Sequence, residues 1–131
     1  VKFEFIRSRL LSVKNAVVGW WHVIRTQKNA WIHAIATVVV ILMGFWFKLS
    51  TVDWSVLILT IAMVWTAEFL NTALEIVVDL ASPTQHPLAK VGKDVGAAAV
   101  LIAALSAVII GLLILGPPVL ESIRTLLSVL R

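Results

Sequence analysis

The sequence has 131 residues, enough for one small domain. Hydrophobic residues make up 60% of it and charged residues 14%, with a mean hydropathy of +1.00. That is too little polar surface for a soluble domain of this size, and it excludes an ordinary cytosolic enzyme and a disordered tail. The formal net charge of +4 comes from basic residues at the ends of apolar runs, so no nucleic-acid partner is expected. Without cysteine there are no disulfides, zinc thiolates or iron–sulfur clusters. The chain starts at Val1 rather than Met, and no cleavable signal peptide is expected within these residues.

Residues 1–29 form the first unit. Apolar residues fall at Phe3, Ile6, Leu10, Val13, Val17, Trp20 and Ile24, in steps of three and four. Arg7, Lys14 and Arg25 lie off that stripe. The spacing predicts an amphipathic helix on a membrane surface, with Trp20 and Trp21 at headgroup level.

Residues 30–115 hold three apolar runs: about Ala30 to Leu49, a second starting at Trp54 and apolar through Val64, and Val95 to Leu115. A span needs about 20 mostly apolar residues. None of the runs alternates, so helices rather than barrel strands are expected, and the fold class is all-α integral membrane. Lys48–Asp53 reads as a tight turn and Ser82–Pro87 as a proline-broken loop. Lys2, Arg7, Arg9, Lys14, Arg25, Lys28, Lys90 and Lys93 fall on one side, against Lys48, Arg124 and Arg131 on the other. The positive-inside rule then places the N-terminus and the 82–94 loop in the cytoplasm. Residues 116–131, opening with Pro117-Pro118, read as a separate interfacial tail, with Val119, Leu120, Ile123, Leu126, Leu127 and Leu130 facing lipid.

The informative stretch is Glu68-Phe-Leu-Asn71-Thr72-Ala-Leu-Glu75-Ile-Val-Val-Asp79. Steps of about 100° put Glu68, Asn71, Glu75 and Asp79 within roughly 80° of each other, along a stripe about 16 Å long. With Trp54 at the outer surface, the hydrocarbon ends about 20 residues later, near Ala73. Glu68 then lies at membrane depth, while Glu75 and Asp79 reach toward water. A carboxylate at that depth marks a functional site by default. The stripe suits chemistry between a membrane alcohol and a soluble, charged reagent.

His86, Lys90, Lys93 and Asp94 follow in the loop and the start of the third run. Carboxylates able to hold Mg²⁺ beside lysines able to neutralise phosphates are the parts phosphoryl transfer requires. Glu68 is placed to take a hydroxyl proton as general base. Each residue also has a structural alternative. Glu75 and Asp79 fit solvated positions at a helix end, and Glu68 fits a lysine-paired assembly contact. Lys90 and Lys93 fit topology charges, His86 a turn, and His22 and His33 interfacial positions. Gly92-x-x-x-Gly96 fits a close-packing seam between helices. There is no Walker A sequence, since Gly92-Lys93 is followed by Asp94, and no G-x-G-x-x-G loop.

The block Ala67–Asp79, then His86-Pro-Leu-Ala-Lys-Val-Gly-Lys-Asp94 and Gly96–Leu101, resembles the small bacterial integral-membrane lipid kinases, diacylglycerol kinase and undecaprenol kinase. The matching spacing is E-x-x-N-[ST]-A-x-E-x-x-x-D followed by H-x₆-K-D. Arg9, Ser12, Ala16, Gly19, Asn29 and His33 fit the looser N-terminal pattern, and the resemblance covers roughly residues 7 to 115. It implies a homotrimeric bundle of three-span protomers, each with an amphipathic N-terminal surface helix, in the bacterial inner membrane. Composite sites between protomers would face the cytoplasm. The implied reaction moves the γ-phosphate of Mg-ATP to a lipid hydroxyl without a phosphoenzyme.

By motif position, Glu68 resembles the family's general base, Glu75 its metal-binding carboxylate and Lys93 its phosphate-contacting lysine. The resemblance implies that Asn71 and Asp79 line the same site, with Asp94 beside Lys93 as catalytic candidates, that His86 matches a position in the nucleotide loop, and that Lys90 is a further nucleotide-binding candidate. One position departs from the pattern. Where relatives carry a second metal-binding Glu, in a stretch resembling Glu-Glu-Arg-Asn, this chain reads Thr26-Gln27-Lys28-Asn29. Gln27 offers Mg²⁺ a neutral oxygen instead of a charge. That leaves two readings beside a kinase of a membrane lipid alcohol: a degenerate scaffold or accessory subunit, and an ion pathway through Glu68, Glu75 and Asp79. The HPLAK and KDVGAAAV stretches lean toward the undecaprenol-kinase-like branch.

Overall fold

The structure, a computed structural model, describes residues 2–84 and 86–130. Arg131, one of the outer-side charges above, lies outside the described residues. Four helices follow in order: α1 (Lys2–Thr26), α2 (Lys28–Trp46), α3 (Thr51–Ala81) and α4 (Pro87–Val129). The last three are long and apolar enough to cross a membrane.

Each boundary has a local cause. Gln27 breaks the helix with extended backbone between α1 and α2. After α2, Lys48 takes a φ of 52°, the left-handed conformation that commonly closes a helix. Ser50 caps α3, where its hydroxyl accepts from the Asp53 amide and donates to the Asp53 carboxylate. His86 caps α4, with Pro87 in the first turn, where its missing N–H costs nothing.

α3 has 31 residues, about 46 Å of helix, against roughly 30 Å of hydrocarbon. It is thus about 16 Å longer than an untilted crossing requires. α4 is longer still, with 43 residues. It does not break at Pro117-Pro118, so the tail expected as a separate short helix is a continuation of α4. The proline pair removes two backbone donors and crowds the preceding turn, yet its fixed φ is helical and the helix continues through it.

α3 and α4 form the most extensive helix pair. The buried seam of α3 runs Leu57, Thr60, Val64, Glu68, Thr72, one residue per turn, and the seam of α4 runs Gly96, Val100, Ala103. The close approach depends on Gly96. A Cβ there would collide with the Asn71 amide oxygen and stand 3.1 Å from Leu74. Gly92 is under no such constraint, since its nearest neighbour would be Val78 at 3.9 Å. Half of the Gly92/Gly96 pair is thus a packing seam.

The C-terminal end of α1 docks on α3 and the start of α2. Val23, Ile24 and Ala30 are buried together, with Trp65 and Phe69 of α3 packed against them. Trp20 stands 6.1 Å from Trp65, ring centroid to centroid, and Trp65 stands 5.7 Å from Phe69. The rest of the apolar stripe of α1, from Phe3 to Val17, is exposed.

Candidate active site

The polar stripe of α3 runs from a buried end to an open end. At the buried end, Glu68 is 2% exposed. Its Oε2 lies 3.7 Å from His33 Nε2 on α2, beyond hydrogen-bond reach, and neither atom has a hydrogen-bond partner. Trp65 stands edge-on to the His33 ring, and its indole N–H donates to Thr37. The aromatic cluster of Trp20, Trp65 and Phe69 therefore shields the side of α3 next to Glu68. The Thr72 hydroxyl donates to the Glu68 carbonyl and leaves the carboxylate alone.

One turn along, the Asn71 amide donates to Glu75 Oε1 at 3.1 Å. The amide oxygen of Asn71 is buried without a partner, held against Gly96. Glu75 is half-buried.

At the open end, Asp79 pairs with Lys93 of α4. Both line an open pocket of about 670 Å³ between the end of α3 and the start of α4, together with Ser82, Thr84, His86 and Lys90. His86 is pinned there, because its Nδ1 accepts from the Leu88 amide. That leaves Nε2 facing outward as the donor nitrogen of a neutral ring. Lys90 pairs with Asp94 at 2.8 Å across one helical turn, on the exposed side.

The structure thus brings Asp79, His86, Lys90 and Lys93 around one pocket and sets Glu68, Asn71 and Glu75 along the same helix behind it. Asp94 stands apart from the pocket lining, against Lys90. Gln27 sits half-buried at the α1–α2 junction, and its side chain makes no cap hydrogen bond. Among the described residues there is no cluster of three or more His, Asp or Glu able to hold a metal. Glu75, the orphan oxygen of Asn71 and the uncommitted amide of Gln27 are hard oxygen donors. Mg²⁺ held largely by nucleotide phosphates needs only one or two carboxylates, which Glu75 can supply; the Asn71 oxygen is buried against Gly96, away from such an ion.

His33 is the residue that sequence reasoning undervalues. Its position reads as interfacial, and the partner expected for Glu68 is a lysine. The available signal is an ionisable side chain several residues inside an apolar run.

A family model described as prokaryotic diacylglycerol kinase matches residues 14–115. The chain is 43% identical over 99 residues to an undecaprenol kinase of Bacillus subtilis, covering 76% of this chain and 80% of that one. It is 44% identical over 113 residues to a diacylglycerol kinase of Synechocystis sp., covering 86% of this chain and 65% of that protein, just under two thirds of its length. A diacylglycerol kinase of Escherichia coli is 33% identical over 104 residues, covering 74% of this chain and 82% of that one. The matched segment contains the whole stripe from Glu68 to Asp79, the His86 loop, Lys93 and Asp94. The chain belongs to the prokaryotic diacylglycerol kinase family, a family of lipid kinases.

Proposed function

We propose that this chain transfers the γ-phosphate of Mg-ATP to the hydroxyl of a membrane lipid alcohol, diacylglycerol or undecaprenol, at the cytoplasmic face of the bacterial inner membrane. The observation that carries this reading is the gradient along one face of α3. It joins a buried carboxylate at Glu68 to an open, lysine-bearing pocket at Asp79 and Lys93.

Glu68 accepts the proton of the lipid hydroxyl. The hydroxyl oxygen bonds to the γ-phosphorus, the bond from phosphorus to the β–γ bridging oxygen breaks, and ADP leaves. Lys93 and Lys90 bind phosphate, and His86 contacts the nucleotide from the loop. The Lys93–Asp79 pair is half-open to solvent, and such surface pairs are worth only about 0–1 kcal/mol, so a phosphate can take Lys93 from Asp79 at little cost. Glu75 and Gln27 would hold Mg²⁺, which when bound neutralises charge on the β- and γ-phosphates, and Asn71 orients Glu75 through its amide hydrogen bond. Asp94 orients Lys90.

The active form is a homotrimer with α1 on the membrane surface. The exposed apolar residues of α1 favour a lipid surface, and a neighbouring protomer would cover the open flank of the α3 stripe. The test is direct. Purified protein is given Mg-[γ-³²P]ATP and either diacylglycerol or undecaprenol in mixed micelles. Labelled lipid is expected, and the ratio of the two products ranks the substrates. No transfer to any lipid alcohol would refute the assignment.

A further inference from the structure

Residues 117–129 of α4 lie beyond the segment that matches the family. From Lys93 to Pro117 the helix advances about 36 Å, so they stand at the end of the bundle away from the Asp79–Lys93 pocket. There Pro118, Glu121, Ser122 and Thr125 look across an open groove of about 710 Å³ at Trp46, Phe47 and Lys48, where α2 ends. At about 100° per residue, Val119, Leu120, Ile123, Leu126 and Leu127 fall within an arc of about 120°. Leu101, Ile102, Leu105, Val108, Ile109 and Leu112 of the apolar span fall in the same arc, and all six are exposed. The opposite side of α4 changes character. Within the span it carries the buried seam of Gly96, Val100 and Ala103, and past Pro117 it carries Glu121, Ser122 and Thr125.

We infer that residues 117–129 dock on the phospholipid surface at the membrane face opposite the Asp79–Lys93 pocket, with the apolar arc among acyl chains and Glu121, Ser122 and Thr125 toward water. A segment standing in water has no reason to keep one side wholly apolar. A segment inside hydrocarbon has no reason to turn one side polar. A change confined to one side is the pattern of an interfacial helix. The prolines set the direction. Taken together, Pro117 and Pro118 fall on the bundle-facing side, where their rings crowd the carbonyls of the preceding turn. Opening the helix there bends it toward its apolar arc, down onto lipid. The two prolines also deprive the Leu113 and Ile114 carbonyls of their helical donors, which is costly in hydrocarbon and tolerable where water reaches. The Ser122 and Thr125 hydroxyls donate back to the Pro118 and Glu121 carbonyls. Arg124 falls at the border of the two faces, where its stem can lie along lipid while the guanidinium reaches phosphate. The competing cover is a second copy of the chain. Close helix approach in a membrane uses small residues, whereas this arc of α4 presents bulky aliphatic side chains throughout.

The chain has no cysteine, so single cysteines can carry a nitroxide label without background. The full chain is placed in vesicles of phosphatidylethanolamine and phosphatidylglycerol. Labels at Leu120→Cys, Ile123→Cys and Leu127→Cys should collide mainly with oxygen, which concentrates in lipid. Labels at Glu121→Cys, Thr125→Cys and Ser128→Cys should collide mainly with a water-soluble nickel chelate. All six positions are exposed, so the labels leave the packing of the bundle intact. Nickel access at all six would stand the segment in water and overturn the proposal. Oxygen access at all six would make it part of the span and overturn it too. Low access to both reagents at Leu120, Ile123 and Leu127, with dipolar broadening between labels on different protomers, would assign the face to a second copy instead. The readout needs no turnover, so its outcome is separate from that of the kinase reading.

Discussion

The two ends of the α3 stripe use the same functional group in opposite surroundings. Glu68 is buried beside His33, while Asp79, three turns away, is mostly open and already neutralised by Lys93. At Glu68 the protein bears the cost of desolvating a carboxylate for which no fixed partner is provided. At Asp79 it bears almost none. A group kept without a partner in a dry place is poised to react with something that arrives. A group paired in the open is poised to let its partner go. The first arrangement suits a base and the second suits a reversible phosphate contact.

The sharpest way to break the comparison is Glu68→Gln. If the buried end performs proton transfer, kcat should fall by about 10²–10⁴-fold, the range for losing a general base. The amide is close in shape, so the oligomer mass in mild detergent should be unchanged. Near-normal turnover would make Glu68 a structural residue and erase the difference between the two ends.

The middle of the stripe depends on how closely α3 and α4 approach. Gly96→Ala places a methyl group against the Asn71 amide oxygen and Leu74, so Asn71 must turn away from Glu75. Overpacking of this kind costs about 1–3 kcal/mol, and activity should fall with it. Gly92→Ala is the control. Its new methyl meets only Val78 at ordinary distance, and its stability should be unchanged or slightly higher, as alanine is the better helix former. Thermal unfolding of both variants in the same detergent decides the point. Equal losses would show that the helix pair tolerates no bulk anywhere, not at Gly96 alone.

The proposed metal site would use Glu75, between the two ends, and Gln27 from the α1–α2 junction. Glu75→Gln should raise the Mg²⁺ concentration for half-maximal activity by roughly tenfold, the lower end of the effect of disturbing a metal site. Gln27→Glu should lower it by restoring a charge. A Mg²⁺ titration that ignores both changes would remove the two residues from a common site.

Much of this is legible in the sequence, because lipid leaves few options for the backbone. Three apolar runs that do not alternate become three helices long and apolar enough to cross a membrane, and period alone aligns Glu68, Asn71, Glu75 and Asp79 on one face. Turn chemistry marks Lys48–Asp53 and Ser82–Pro87. Two features escape a reading by hydropathy and punctuation. Hydropathy alone bounds the second apolar run at Val64, yet the helix continues to Ala81, because its polar residues are interleaved at helical spacing with apolar ones that keep packing on α4. Pro117-Pro118 reads as a break, yet α4 continues, because local punctuation loses to a helix already propagating on both sides. The His33–Glu68 juxtaposition is not legible at all. It joins residues 35 positions apart on different helices, and only the packing of α2 on α3 fixes which faces meet.

The smallest effect is expected at the open end, and it is the most diagnostic of the division of labour. Asp79→Asn removes one partner of an ion pair whose side chains are 66% and 36% exposed, for Asp79 and Lys93 respectively. Pairs that open contribute about 0–1 kcal/mol, and 1.4 kcal/mol is tenfold, so the KM for ATP should change by no more than about fivefold. Lys93→Ala should cost far more, because it removes the phosphate contact itself instead of the group that parks it. The two variants therefore separate holding a lysine from using it, and steady-state kinetics in ATP at saturating lipid reads the difference. If Asp79→Asn were as damaging as Lys93→Ala, Asp79 would have to touch the nucleotide or its metal directly. The open end would then take part in the reaction as fully as Glu68 does, and the gradient of burial along α3 would no longer correspond to a gradient of function.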